Sequence, residues 1–234
     1  MNEDWSYIIA DEMLERPHGF SVNGVRMSIY PITLGKRILL SRLYALLPID
    51  FTVMAVSADL EALRIVMAER EAVCRIIAYH TLANKKEAFD TVLIHRRTEL
   101  LKEADDNDLA SLFLVLLNAD KTAQIAKHLG IDRENERYRR AASVIDKDSG
   151  TFQFGMVSDY GRLLDFACQR YHWTLDYVMW GISYTNLQLM IADSEKSLYL
   201  DKDERRRARV SNDRSTINGD NKASWATIKS MNWD

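Results

Sequence analysis

Glycine and proline, the residues that most often interrupt regular structure, are scarce in this chain, with nine Gly and three Pro among 234 residues. Tight turns are therefore few and long helices are favoured. Apolar residues recur at helical spacing through most of the sequence, as in Leu34, Ile38 and Leu39. With 47% hydrophobic and 28% charged residues, the chain can build a packed core. The sequence predicts a mainly α fold, a multi-helix globular domain.

One segment near the N-terminus departs from helical spacing. In "FSVNGVRMSIYP", two runs rich in β-branched and aromatic residues flank the dipeptide Asn23-Gly24. Asn-Gly suits the two positive φ angles of a tight hairpin turn, and Pro31 then ends strand pairing because it has no N–H to donate. We expect a small β-hairpin at about residues 20–30.

The apolar stripes divide the rest of the chain into helices and connections. They predict helices over residues 34–47, 57–81, 86–103, 108–118, 121–129, 133–144 and 159–171. Residues 145–158 are expected to form a loop or a short edge strand. Residues 1–210 are expected to form the helical domain, and residues 211–234 a flexible linker with a short aromatic C-terminal tail.

Charge and hydropathy point to a cytoplasmic protein. The formal net charge is −3 and the pI is near 6.0, so nucleic acid is an unlikely partner and an acidic membrane surface is not favoured. Apolar runs such as Leu109–Leu117 are too short to span a bilayer, and the acidic N-terminus lacks the features of a signal peptide. Cys74 and Cys168 lie on apolar helical stripes, which favours reduced, buried thiols over a disulfide.

No catalytic motif is visible in the chain. The five His are scattered without a zinc-binding spacing, and there is neither a Gly-rich phosphate loop nor a nucleophile elbow. Paired acids such as Asp105-Asp106 precede predicted helices, where they offset the positive end of the helix dipole. We therefore expect a non-enzymatic protein with no catalytic residue, no metal and no cofactor.

The segment Thr122–Ala142 resembles the helix-turn-helix of DNA-binding regulators. Gly130 follows an apolar first helix, and four Arg lie on a basic second helix. However, Glu136 and Arg139 stand where a recognition helix needs apolar anchors, and burying either charge unpaired would cost several kcal/mol. A helix–glycine–helix corner with a solvated second helix is the preferred interpretation, and a DNA-binding regulator remains an alternative.

The stretch "YHWTLDYVMWGISYTNLQLMIAD" carries the densest aromatic cluster. Trp173, Tyr177, Trp180 and Tyr184 follow at spacings of four, three and four, so one continuous helix would place them on one face. Thr174 as an N-cap, Gly181 as a C-cap and Ser183 as a second N-cap instead favour two helices that meet at a corner, the second running from Tyr184 to about Leu200. The aromatic rings could then fill that corner, line a ligand pocket or contact a partner, and the first of these is preferred.

Several segments resemble the small helical tail-assembly proteins of long-tailed bacteriophages and prophages, particularly those of Bacteroidetes hosts. The likeness lies in "FQFG", in "YGRLLDFACQRYHWTLDYVMWGISYTNLQLMIAD", in "FSVNGVRMSIYPITLGKRILL" and in "IKSMNW", which together cover about a third of the chain. The resemblance implies a tail assembly chaperone that binds the tape measure protein during tail morphogenesis and acts as a homo-oligomer. A structural tail or connector component retained in the virion is the alternative within this biology.

A chaperone of this kind needs exposed apolar surface to cover its partner. The predicted partner-binding residues are Trp173, Tyr177, Trp180 and Tyr184 at the corner and Trp225, Ile228, Met231 and Trp233 in the tail. For the tail, a frayed terminus is the alternative interpretation.

Overall fold

A computed structural model of the chain describes residues 5–145 and 158–209. Within these residues the protein has fourteen helices and one two-stranded antiparallel sheet, which confirms the predicted mainly α fold with a small N-terminal hairpin. The predicted loop and the predicted C-terminal tail lie almost entirely outside the described residues.

The hairpin consists of β1 (His18–Val22) and β2 (Val25–Ile29). The helices are α1 (Trp5–Met13), α2 (Leu34–Tyr44), α3 (Phe51–Val56), α4 (Ala58–Ala68), α5 (Arg70–His80), α6 (Lys85–Ala88), α7 (Thr91–Lys102), α8 (Asp106–Leu117), α9 (Thr122–His128), α10 (Ile131–Ser143), α11 (Asp159–Tyr171), α12 (Leu175–Trp180), α13 (Tyr184–Ala192) and α14 (Lys202–Ala208).

The described residues fall into two compact units. The larger contains residues 5–133 and 158–194, and the smaller contains residues 134–145 and 195–209. The smaller unit has its own apolar cluster, in which Ala141, Leu200 and Ala208 are buried.

The hairpin forms as its turn sequence predicts. Asn23 and Gly24 have φ values of 48° and 77°, the left-handed conformation that this two-residue turn requires. Phe20 pairs with Met27, and Val22 and Met27 are buried in the main apolar core. The hairpin is therefore part of the fold's packing and is not an appendage.

The predicted helix over residues 57–81 is interrupted, which the apolar periodicity did not show. Glu69 leaves the helical conformation (φ −132°, ψ 46°) and separates α4 from α5. Arg70, the first residue of α5, donates hydrogen bonds to the Lys102 carbonyl and to the Asp106 carboxylate at the α7–α8 connection. The break lets α4 pack against α8 while α5 packs against α7.

Other boundaries also differ from the sequence-based expectation. Helices α1 and α3 were not predicted, because they are short or have no continuous apolar stripe. The helix expected from Tyr184 to about Leu200 ends at Ala192, where Asp193 caps it. Both cysteines are free thiols, with Cys74 buried and Cys168 half-buried.

Buried side chains of α4, α5, α7 and α8 form the main core, and three consecutive carbonyls at the end of α5 are satisfied inside it. The carbonyl of His80 accepts from Tyr30 N at 2.9 Å, that of Thr81 accepts from the Arg97 guanidinium, and that of Leu82 accepts from Lys36 Nζ at 2.9 Å. A helix leaves its last carbonyls without intrahelical partners, and buried carbonyls without partners are costly. These bonds join Tyr30, which directly follows the hairpin, and helices α2 and α7 to the C-terminal end of α5.

A buried carboxylate joins α4 to the segment before α3. Glu61 is fully buried and accepts two hydrogen bonds from Arg64, at 2.6 and 2.7 Å, and one from Asp50 N at 2.6 Å. The Arg64 hydrogen bonds are the main reason that the pKa of Glu61 is lowered to about 2. The ionised carboxylate is therefore the form that the fold stabilises.

We predict that Glu61→Gln destabilises the protein by roughly 1–3 kcal/mol, because the charged acceptor of three hydrogen bonds is lost. Since the pKa in the folded state lies below its ordinary value of 4.5, the wild type should lose this stability as the pH falls from about 4.5 to about 2. Urea unfolding between pH 2 and pH 7 measures both effects.

Glu71→Gln is the matched control for Glu61→Gln, since Glu71 pairs with Lys102 at 3.1 Å but is 74% exposed. An exposed ion pair contributes less than about 1 kcal/mol, so this variant should unfold almost as the wild type does. Equal stability of Glu61→Gln and wild type at pH 7 would contradict the assignment.

Candidate functional site

The aromatic stretch folds as two short helices around a corner, as Gly181 predicted. His172 ends α11 in the left-handed conformation (φ 54°), and the Thr174 hydroxyl caps the N-terminus of α12. Gly181 ends α12, and the Ser183 hydroxyl caps the N-terminus of α13. The corner is held to the N-terminal segment because Ser183 N donates to the Glu15 carboxylate at 2.8 Å.

The first two predicted partner-binding aromatics lie together. The rings of Trp173 and Tyr177 meet edge to face with their centroids 5.0 Å apart, and the ring centroid of Tyr171 lies 4.8 Å from that of Trp173. Tyr177 also covers Gly181, where an added Cβ would lie 2.2 Å from its ring. Tyr177 is 43% exposed, so this cluster presents apolar surface to solvent as well as filling the corner.

Trp180, three residues after Tyr177 on α12, contacts other parts of the fold and packs on α2 and on the end of α6. A Cβ added to Gly35 would come within 2.6 Å of the Trp180 ring, so only glycine allows this close approach. Phe89 meets Trp180 edge to face, with the ring centroids 5.5 Å apart. Lys85 and Asp176, which each lie four residues before one of these aromatic residues, form an ion pair. Trp180 therefore fastens α12 to the body of the larger unit.

Tyr184 belongs to α13 and faces a separate region. The Arg37 guanidinium lies over its ring, 4.5 Å from the centroid, and pairs with Asp120 at 3.6 Å. The corner thus separates the four aromatics into three environments, and the single face of a continuous helix does not form. Trp225, Ile228, Met231 and Trp233 lie outside the described residues, and their role in partner binding stays a prediction.

A groove of about 830 Å³ lies between α9, α11 and α13, and we call it the α13 groove. Its apolar lining consists of Ala123, Ala126, Leu163, Phe166, Ile191 and Ala192. Its polar lining consists of Asp120, Thr122, Gln124, Asp159, Arg162 and Gln188. Thr122 Oγ1 is buried and has no hydrogen-bond partner within residues 5–145 and 158–209.

The helix–glycine–helix corner lies at the end of α9, one of the three helices that line the groove. Helix α9 ends at His128 and α10 begins at Ile131, with Gly130 at φ 77° between them. Glu136 and Arg139 are exposed and pair with each other at 3.6 Å, as expected for a solvated second helix. DNA binding by this segment stays a prediction.

A second cavity, of about 490 Å³, lies where α2, α5, α8, α11 and α13 meet the hairpin, and we call it the tyrosine cavity. Four tyrosines contribute to its walls, Tyr30, Tyr44, Tyr160 and Tyr184. Charged groups also line it, namely Glu12, Arg16, Arg37 and Asp120, together with His18 and His80. Burial raises the pKa of Glu12.

The deepest polar groups of the tyrosine cavity are His80 and Tyr44. His80 is 1% exposed, and its Nε2 lies 3.4 Å from the Tyr44 hydroxyl. Burial, with the nearby Lys36 ammonium, lowers the pKa of His80 to about 3, and burial raises the pKa of Tyr44 to about 12. Burial also lowers the pKa of Lys36 to about 8. His80 and Tyr44, which line the cavity, are therefore uncharged at neutral pH.

The groove and the tyrosine cavity were missed by sequence reasoning, since their walls come from segments far apart in the chain. No local pattern in the sequence places those segments side by side. The polar residues nearest the aromatics in the sequence, His172, Asp176 and Asn186, line neither site.

Residues 5–145 and 158–209 contain no group of three or more His, Cys, Asp or Glu placed to hold a metal ion. In the same ranges no single helix has the length and hydropathy to cross a bilayer, and only the pair α8 and α9, bent by 47°, meets those criteria together.

We predict that Gly35→Ala destabilises the protein by about 1–3 kcal/mol, because the new methyl group must displace the Trp180 ring. Gly161→Ala is the matched control, since its Cβ would meet nothing closer than 3.6 Å and alanine favours the helix by up to about 1 kcal/mol. Urea unfolding followed by tryptophan fluorescence measures both. A Gly35→Ala variant as stable as Gly161→Ala would refute the close packing.

Comparison with known proteins adds no relative, because no family model, no curated protein and no solved structure matches this chain.

Proposed function

We propose that this chain is a non-enzymatic tail assembly protein of a bacteriophage or prophage. In this proposal it acts in the host cell cytoplasm as a chaperone and holds an apolar helix of the tape measure protein in the α13 groove. The observation that carries the proposal is the groove itself, because its volume and its lining suit an apolar helix.

The lining of the groove favours an apolar helix over a charged segment. Ala123, Ala126 and Ala192 are small, so a partner backbone can approach closely, while Leu163 and Phe166 supply larger apolar contacts. This is the helix-in-groove mode of recognition. Since a helix is about 10 Å across and rises about 5.4 Å per turn, a volume of about 830 Å³ accommodates roughly two turns.

The polar groups at the groove already have partners or carry no charge. Arg162 forms an ion pair with Asp159, and Asp120 pairs with Arg37. No unpaired charge is then left to select a charged partner, whereas Gln124 and Gln188 can bond to polar groups on either side of an apolar stripe.

The family resemblance falls on the same helices. The segment that resembles the phage tail-assembly proteins, residues 160–193, forms α11, α12 and α13. Two of the three helices that line the groove therefore come from it. The exposed part of the Trp173–Tyr177 cluster belongs to the same segment and offers additional apolar surface for the partner.

Ala123→Arg tests the groove with little risk to the fold, because Ala123 is exposed on α9. A long charged side chain there should lower affinity for the tape measure protein of the same phage by about tenfold or more, since it obstructs the groove and must be desolvated. The measurement is co-purification from cells that express both proteins, followed by titration of the isolated complex.

The matched control is Ala55→Arg, the same substitution at an exposed alanine on α3, outside the groove. It should bind like the wild type. If Ala123→Arg bound as tightly as Ala55→Arg, the groove would not be the binding site. If the wild type did not bind the tape measure protein at all, the chaperone proposal would be wrong.

The alternative, a structural tail or connector component, is distinguished by where the protein is found. An assembly chaperone should be abundant in the lysate of producing cells and missing from purified particles. Quantitative mass spectrometry of both fractions measures this, and a major virion protein of the same phage is the positive control. Stoichiometric presence in particles would favour the structural component.

A further inference from the structure

We propose that the tyrosine cavity is a binding site for an uncharged aromatic small molecule that has a hydrogen-bonding edge. This site is separate from the helix-binding role proposed for the α13 groove. Three features of the cavity support this ligand class: its size, its most buried polar groups and the pairing of charges at its edge.

The size and walls of the cavity suit a small molecule. Its volume of about 490 Å³ lies within the usual range of roughly 300–1,000 Å³ for ligand pockets. The walls combine apolar side chains such as Leu40, Ile32 and Leu116 with tyrosine rings from three different elements. Aromatic rings pack against planar aromatic ligands by offset stacking or edge to face, so we expect the ligand to be aromatic.

The groups at the deepest point can bond to a neutral edge of the ligand. His80 and Tyr44 both line the cavity, with 3.4 Å between Nε2 and the hydroxyl oxygen. A neutral imidazole has one donor and one acceptor nitrogen, and a phenol can donate or accept. The pair therefore offers a ligand either a donor or an acceptor without a change of charge.

Three of the four charged side chains in the lining are already paired. The Arg37 guanidinium forms an ion pair with Asp120 at 3.6 Å and lies over Tyr184, and Arg16 forms an ion pair with Asp11 at 3.1 Å. Burial raises the pKa of the fourth, Glu12, which disfavours its charged form. The four charged side chains of the lining, two Arg and two acids, also cancel in formal charge. A charged ligand would lose its hydration and find only Glu12, whose charged form burial already disfavours, so an uncharged ligand is favoured.

Titration of the full-length chain with indole, by calorimetry and by NMR of the His and Tyr ring resonances, tests the proposal. We expect saturable binding with one site, and the resonances of His80 and Tyr44 should shift during the titration. Benzoate and phenethylamine, which carry opposite charges on a similar ring, should bind at least about tenfold more weakly.

Ser41→Trp should abolish indole binding, because Ser41 lines the cavity and a tryptophan there would occupy it. Ser111→Trp, at an exposed serine on α8 that does not line the cavity, is the matched control and should bind like the wild type. Indole binding that persists in Ser41→Trp would overturn the proposal, as would unchanged His80 and Tyr44 resonances in the wild type. Tighter binding of benzoate or phenethylamine than of indole would overturn the uncharged class.

Discussion

The C-terminal end of α5 is the constraint on which the larger unit depends. Residues 80–82 are almost fully buried, so their carbonyls need partners inside the protein. The partners are a backbone N–H at the hairpin exit, the Lys36 ammonium on α2 and the Arg97 guanidinium on α7. Two cations at a helix C-terminus also oppose the negative end of its dipole. One helix end thereby fixes the positions of three other elements.

The aromatic corner extends this arrangement to the C-terminal helices. Gly35 lies one residue before Lys36, so the close contact of Trp180 with Gly35 places α12 directly on the helix that satisfies α5. Tyr184 N donates to the Ile32 carbonyl at 2.6 Å, just before α2, and begins α13 there. The orientation of α13 therefore depends on two contacts with the chain around the start of α2.

Helix α13 contributes to both candidate sites with different parts of its length. Its first turn, with Tyr184 and Thr185, lines the tyrosine cavity, and its later residues, with Gln188 and Ile191, line the α13 groove. Asp120 lines both sites and holds Arg37. The two sites are neighbours, but the most buried polar groups of the tyrosine cavity, His80 and Tyr44, are neutral, whereas the lining of the α13 groove is largely apolar. Their expected ligands differ for that reason.

The sequence by itself determined the elements that local chemistry controls. The Asn23-Gly24 turn, the Thr174, Gly181 and Ser183 caps and most helices follow from φ preferences, cap hydrogen bonds and apolar periodicity, which act within a few residues. Only the tertiary structure decided that Glu69 interrupts a continuous apolar stripe, that Lys36 is buried, and that distant segments enclose a groove and a cavity. Those outcomes depend on which buried polar groups find partners across the fold, and a one-dimensional pattern does not record such partners.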